Sequence, residues 1–325
     1  MRSKKFHPRI LAAAFVLLTV TTQALGQGLG RVAVLTDVQG QVMLARAGSD
    51  TFSGTGEFGT PLYTNDRLRT GESASASILY SNGDLLTIGA SRSIMISNTA
   101  DGLTGSASRI KVDKRVSSTA ASLALHRSGD GEIAALSGLR SSVERATISV
   151  VSPSNSAVRS STPLFSWTAS ETFSLFRVRV FNSTGIVWEG ESTSTNLEYP
   201  SDAPVLNAGV DYLWQVFGEN MLDVEGSEIS RIRVLTQESL DMISEAEENL
   251  ASSNIKASSG NYHLLLGSLY AESRLLSDAA DEFKALIEEY PGTALPYELL
   301  AKIFAEMGRI DLAMDAFRTA SANAK

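Results

Sequence analysis

Residues able to do acid–base or nucleophilic chemistry are few in this chain of 325 residues, which has three histidines and no cysteine. His126 is followed by Ser128, Asp130 and Glu132, the residue types that serve as base, nucleophile and orienter in a hydrolase. Nothing in the surrounding Ser-, Ala- and Gly-rich stretch places them in a cleft, so they read as a polar loop. His263 falls at a helix-packing position, and His7 lies in the basic N-terminal segment. Two separated histidines make no strong metal site unless several carboxylates converge on them. "GTGEFG", residues 54–59, has the spacing Gly-x-Gly-x-x-Gly, but Pro61 and a strand follow where a dinucleotide site needs a helix. Asn182-Ser183-Thr184 has the form of a glycosylation sequon and reads as a hairpin turn. The expectation is a non-enzymatic chain without cofactor or metal, acting through its surfaces.

The N-terminal residues direct where those surfaces would work. Arg2, Lys4, Lys5 and Arg9 precede a short apolar run, Ile10 to Val20, and small residues follow with cleavage expected after Ala24 or Gly26. This run falls short of the ~18 apolar residues of a membrane span. Residues 1–26 therefore read as a cleavable export signal, which puts the mature chain in a bacterial periplasm with no transmembrane segment. Their loss removes four basic and no acidic residues, taking the formal charge from -8 to -12. That balance disfavours nucleic acid and anionic membrane surfaces as partners.

Three segments must position whatever function there is. Residues 27–115 are strand-like. In "SASASILY", Ala74, Ala76, Ile78 and Tyr80 fall on one face and Ser73, Ser75 and Ser77 on the other, the period of a half-buried strand. Asn82-Gly83 predicts a two-residue hairpin turn with positive φ at both positions. Residues 116–145 have weak periodicity and read as a linker. Residues 146–235 are β again and hold all three tryptophans. "FRVRVF" sends Phe176, Val178 and Val180 inward and Arg177 and Arg179 outward, while "YLWQVF" aligns Tyr212, Trp214 and Val216. Strands at this spacing predict a sandwich. Residues 236–325 switch to helical periodicity, with a self-match at a period of 34.

Each segment carries a resemblance. "TNDRLRTGESASASILYSNGDLLTIGASRSIMI" resembles the FecR-type periplasmic domain: Asp66, Leu68, Thr70, Gly71, Gly83, Leu86, Ile88 and Ile94 match its turn-and-strand signature, with Asn82 in the hairpin and Asn65 where a glycine is usual. In iron-dicitrate sensors such a domain relays a signal, a role that needs a transmembrane helix and a cytosolic tail. This sequence shows neither, so the resemblance implies the module and leaves envelope signalling an alternative. The second segment resembles fibronectin type III or immunoglobulin-like modules, and Leu206, Gly209 and Tyr212 fit a tyrosine corner. The third resembles the tetratricopeptide repeat: Leu266, Gly267, Tyr270, Ala279, Phe283 and Pro291 sit at its marked positions, echoed by Leu300, Ala301, Phe304, Ala313 and Phe317. His263 stands where the repeat usually has tryptophan. Ser277 is expected to cap the second helix, and Leu240, Ile243 and Leu250 predict one more helix in front.

The fold expected is thus multidomain: two all-β modules, then a helical array. Two repeats imply an unfinished end, to be covered by another domain, a second copy or a partner. The partners implied are envelope proteins, held on the array's concave surface and on exposed β faces. Cell-wall glycan is the alternative, through Tyr63 or Trp188. Residues 236–325 carry 15 acidic against 7 basic side chains, which would suit an acidic groove selecting basic peptides.

Overall fold

Short alternating runs give antiparallel pairs in the first module. The computed structural model describes residues 30–126, 147–221 and 223–324, and the export signal read at residues 1–26 lies outside them. Nine strands run from β1 (Ala33–Gln39), β2 (Val42–Ala45), β3 (Gly54–Thr55) and β4 (Pro61–Leu62) to β5 (Arg67–Thr70), β6 (Ser75–Tyr80), β7 (Leu85–Ile88), β8 (Ser93–Met95) and β9 (Ser108–Ile110). They form two sheets, in the orders β4-β1-β6-β7-β9 and β3-β2-β5-β8. Leu35, Leu44, Leu68, Ile78, Leu86 and Ile94 share one apolar core.

The matched turn residues are structural here. The Asp66 carboxylate is buried and accepts from Arg46 Nη1 (2.7 Å) and from the backbone N–H groups of Ala47 and Tyr63 (3.0 Å each). Asn65, standing where the FecR-type signature has glycine, takes φ +69°. Thr70 donates to the Gly89 carbonyl (2.7 Å) and accepts from Arg92 N–H (3.0 Å), and the Gly71 carbonyl accepts from Ser91 N–H (2.9 Å). The β6–β7 turn differs from the two-residue form expected. Gly83 takes positive φ (+82°) and Asn82 does not. Gly83 N–H bonds to Tyr80 O (2.8 Å) and Tyr80 N–H to Asp84 O (2.9 Å), which makes a three-residue loop closed by glycine in a bulge. Asn82 braces it by accepting from Asp84 N–H through Oδ1 (3.0 Å).

Helix α1 (Lys114–Leu125) stands where the linker was expected to begin. Asp113 caps it by accepting from Arg115 N–H (2.8 Å), and Val116, Ala120, Ala121 and Ala124 line its buried face. A stripe mostly of alanine has little hydrophobic contrast, which is why its period is weak in sequence. The rest of the expected linker, with Ser128, Asp130 and Glu132, lies outside the described residues.

The second module has β10 (Ile148–Ser152), β11 (Ser156–Val158), β12 (Leu164–Ala169), β13 (Leu175–Asn182), β14 (Gly185–Ser192), β15 (Asn196–Glu198), β16 (Asp211–Glu219), β17 (Val224–Gly226) and β18 (Ser230–Val234). Their orders are β10-β12-β15 and β11-β18-β16-β13-β14, with β17 on β16. The β11–β18 pair is parallel. Phe165, Trp167, Val178, Val180, Trp214 and Ile232 pack between the two sheets. Tyr212 is buried and its phenol accepts from Asn207 N–H (2.9 Å). Leu206 is buried beside it, and Gly209 turns the chain at φ +76°.

Five helices complete the fold: α2 (Gln237–Ala251), α3 (Gly260–Glu272), α4 (Leu276–Glu289), α5 (Ala294–Glu306) and α6 (Ile310–Asn323). Every boundary of the α3–α4 hairpin recurs 34 residues later in α5–α6. A Cβ on Gly267 would lie 2.5 Å from the Phe283 ring, so glycine is what lets α4 close on α3. Leu266, Ala279, Ala313 and Phe317 are buried in the same way, and Pro291 follows the end of α4. Ser277 does not cap α4. Leu276 N–H instead bonds to Ser156 Oγ of β11 (3.0 Å), so another module supplies the cap. At the far end, Asp311, Asp315 and Arg318 face outward from α6, and no large apolar side chain of α5 or α6 is exposed among the described residues.

The β and helical parts are not beads on a string, for residues 31–325 form one compact unit. The outer face of β1, β6 and β7, expected to meet solvent, carries Val34, Leu79 and Leu85 into one apolar cluster with α1, α3, α4 and α5. Ser77, expected outward, is 4% exposed and accepts from Asn261 Nδ2 (2.8 Å), while Thr36 donates to Asn261 Oδ1 (2.6 Å). Phe58 stacks on Tyr290 with ring centroids 4.5 Å apart.

Candidate functional site

Part of the surface first expected to bind, the outer face of the first sheet and the first helices of the hairpins, is covered by the chain itself. α1 lies along α3 and reaches α5, so the first helix of each hairpin is covered from within. Lys302 on α5 donates to the carbonyls of Leu123 (3.2 Å) and His126, tying off the C-terminal end of α1, and Thr119 donates to Glu272 (3.0 Å). Trp188 is likewise occupied. Its ring lies 4.8 Å from that of Tyr199, over Gly190, where an added Cβ would come within 2.3 Å of it. Tyr63 is half-buried under the Arg46 guanidinium, 5.4 Å from the ring centroid. No aromatic side chain is exposed among the described residues.

One cleft stands open between the second module and the helices. It has a volume of about 740 Å³ and lies between the β11–β18–β16 edge of the second module, the start of α1, α2, and the turn after α3. Its builders are legible locally. Alternation along β18 buries Ser230, Ile232 and Val234 and turns Arg231 and Arg233 outward. Arg233 meets Asp211 across the β16–β18 ladder through Nε and Nη2 (2.8 and 2.9 Å). The sharp turns after α3 and α5 put Arg274 (φ +63°) and Gly308 (φ +78°) 34 residues apart, and both dock on the 154–156 loop. Ser154 Oγ and Asn155 Nδ2 donate to Met307 O (2.7 and 3.0 Å), and Ala157 N–H donates to Arg274 O (2.8 Å). Arg274 also pairs with Glu306. Val234, Leu235, Met242 and Ile243 supply an apolar floor.

Beside the cleft, Tyr270 donates to Glu247 Oε1 (2.8 Å), which also receives Arg159 Nη2 (2.8 Å); the Arg159 guanidinium stands 5.1 Å from the Tyr270 ring centroid. Burial, reinforced by Glu247, pushes the Tyr270 phenol well above its ordinary range. Tyr270 therefore latches α2 and α3 to the second β module.

Of the residues singled out in sequence, Gly209 and Ile243 line the cleft. Arg115, Arg231, Arg233, Arg274 and Met242 were not singled out. Alternation marks the two strand arginines as outward, but nothing local brings the other three to them. The remaining candidates lie apart. His126 is exposed at the end of α1, with Arg31, Ser81 and Ser122 around the same depression. His263 is half-buried, its Nδ1 2.8 Å from Glu282 Oε2, and bridges α3 to α4. The "GTGEFG" loop buries Phe58 and sets Gly59 (φ +79°) against Leu295. Asn182 Oδ1 accepts from Thr184 N–H (2.8 Å) in the β13–β14 hairpin turn. Among the described residues, no three His, Asp or Glu side chains converge as metal ligands, and no helix is long and apolar enough to cross a membrane. Neither a family model nor a curated protein matches the chain.

Proposed function

We propose that this chain is an exported, non-enzymatic envelope protein that binds another envelope protein in the three-way cleft. On this reading a FecR-like module, an immunoglobulin- or fibronectin-like sandwich and two tetratricopeptide hairpins are fused into one binding body. Several features support the module assignments. The second module's strand order, with β11 parallel to β18, and its Tyr212 corner suit an immunoglobulin-like sandwich. The 34-residue recurrence of both hairpins suits the repeat. The Asp66, Thr70 and Gly71 bonds suit the turn signature of the first.

The observation that carries the reading is the cleft, a large concavity built jointly by several bodies while the inner face of the hairpins is filled by α1. Binding sites concentrate at such junctions. The absence of an exposed aromatic platform among the described residues favours a protein partner over glycan. Photo-crosslinkers placed at Met242 in the cleft and at Ser321 on α6 test the proposal in intact cells. The expected result is a discrete crosslinked partner from Met242 and none from Ser321. Equal products from both positions, or co-sedimentation with cell-wall sacculi in place of a protein product, overturn it.

A further inference from the structure

The outward face of the larger sheet in the second module follows a rule with one exception. Arg177 pairs with Glu191 (3.2 Å) and Glu219 (3.0 Å), Arg179 with Glu189 (2.6 Å), and Arg233 with Asp211 (2.8 Å). Arg231 faces the same way, yet its cross-strand neighbour is Leu213, and no described carboxylate lies within ion-pair distance. The exception falls inside the cleft. Arg115, from the start of α1, lines the same cleft. Its guanidinium reaches Met242 Sδ at 3.9 Å and likewise has no described carboxylate partner. The acids present are engaged: Asp211 with Arg233, Glu306 with Arg274, and Glu272 with the Thr119 hydroxyl. Four guanidinium groups against three carboxylates reverse, locally, the sign of a chain whose formal charge is -8.

Resting on the reading of this cleft as the recognition surface, we infer that its ligand is an acidic peptide segment of the partner. Carboxylates would take the unpaired guanidiniums of Arg115 and Arg231, and an apolar side chain between them would lie on Met242 and Leu235. Guanidinium groups favour carboxylates because two parallel N–H bonds match the two oxygens. The cations belong to different bodies and flank an apolar floor, so a chain that alternates acidic and apolar groups fits better than a lone anion. A cleft of about 740 Å³ is within the range that encloses a ligand of several residues. The sign is opposite to that expected from the acidic helical segment, whose charges lie mainly on surfaces outside the cleft.

The test uses the full chain and a dye-labelled pentapeptide, Glu-Leu-Glu-Leu-Glu, followed by fluorescence anisotropy. Controls are the Lys-for-Glu peptide and an oligothymidylate. The acidic peptide is expected to bind with a dissociation constant on the order of 10–100 μM, and neither control to bind. Arg115→Gln with Arg231→Gln together should weaken binding about tenfold or more, whereas Arg177→Gln, paired on the same sheet face, should leave it unchanged. Arg115 and Arg231 are exposed and Arg177 is half-buried, and tryptophan fluorescence verifies that each variant folds. Failure of the acidic peptide to bind, equal binding by the double variant, or equal binding of the oligothymidylate overturns the inference. If the Met242 crosslink persists when the peptide fails, only the ligand class is wrong; if both fail, the cleft is not the recognition surface.

Discussion

Asn261 bridges the first sheet and the helices with a single buried amide. Its oxygen and nitrogen satisfy Thr36 and Ser77, and the three residues are 3%, 0% and 4% exposed. Asn261→Ala leaves two buried hydroxyls without that partner and should cost about 1–3 kcal/mol, read from urea unfolding. A loss no larger than that of a surface substitution would contradict the role given to the amide. Asp37 lies in the same seam, and burial raises its carboxyl above the usual range against the opposing effects of Tyr290 and Lys256. Burial raises Glu289 likewise. A carboxyl whose folded pKa exceeds its unfolded one contributes stability below the unfolded value and loses it as pH rises through the folded value. The Asp37→Asn variant should therefore melt higher than the parent at about pH 7.5 and lose that advantage near about pH 4. An equal shift at both pH values would mean that burial of the charge is not the cause. Gly190→Ala forces a methyl group into the Trp188 ring and should destabilise by about 1–3 kcal/mol, with a red-shifted tryptophan emission as the ring is displaced.

At the scale of elements, the most informative is α1, wedged between the first sheet and the α3–α5 face. Lys302 holds its last carbonyls. Lys302→Met keeps the aliphatic stem and removes the donor, so hydrogen exchange at residues 122–126 should quicken while α3 amides stay protected. Unaltered exchange there would show that packing alone holds the helix end. What was legible in sequence follows from range. The alternation that turns Arg177 and Arg179 outward, and the 34-residue spacing of Gly267 and Ala301, are local patterns, so strands and hairpins could be read from them. A serine such as Ser77 looks the same to its neighbours whether it faces water or an asparagine 184 residues later. The burial of that sheet face left no local trace for this reason. Ser277 was a sound local cap candidate, displaced by Ser156 from a distant strand. The candidate site shows the same division. Arg231 and Gly209 lie on readable strand and turn positions, whereas Arg115, Met242 and Arg274 reach the cleft only through the packing of separate bodies.

At the scale of the whole molecule, one apolar cluster joins Val34 and Leu79 of the first sheet to Leu264, Phe283 and Leu299 of the helices. The second module is bolted to the same helices by Ser154, Asn155 and Ser156. Calorimetry should accordingly show a single cooperative transition for residues 31–325. Truncation after residue 235 should expose the outer face of β1 and β6, read as new binding of a hydrophobic dye. Two well-separated transitions would contradict this interdependence. The Thr36–Asn261 bond spans 225 positions, and it bears on biosynthesis. The first strands and α1 are made long before α3 exists, so until then Val34, Leu79 and Leu85 have only α1 to cover them. Completion of the first module's packing is therefore a late step of folding, reached only when the helical segment is present.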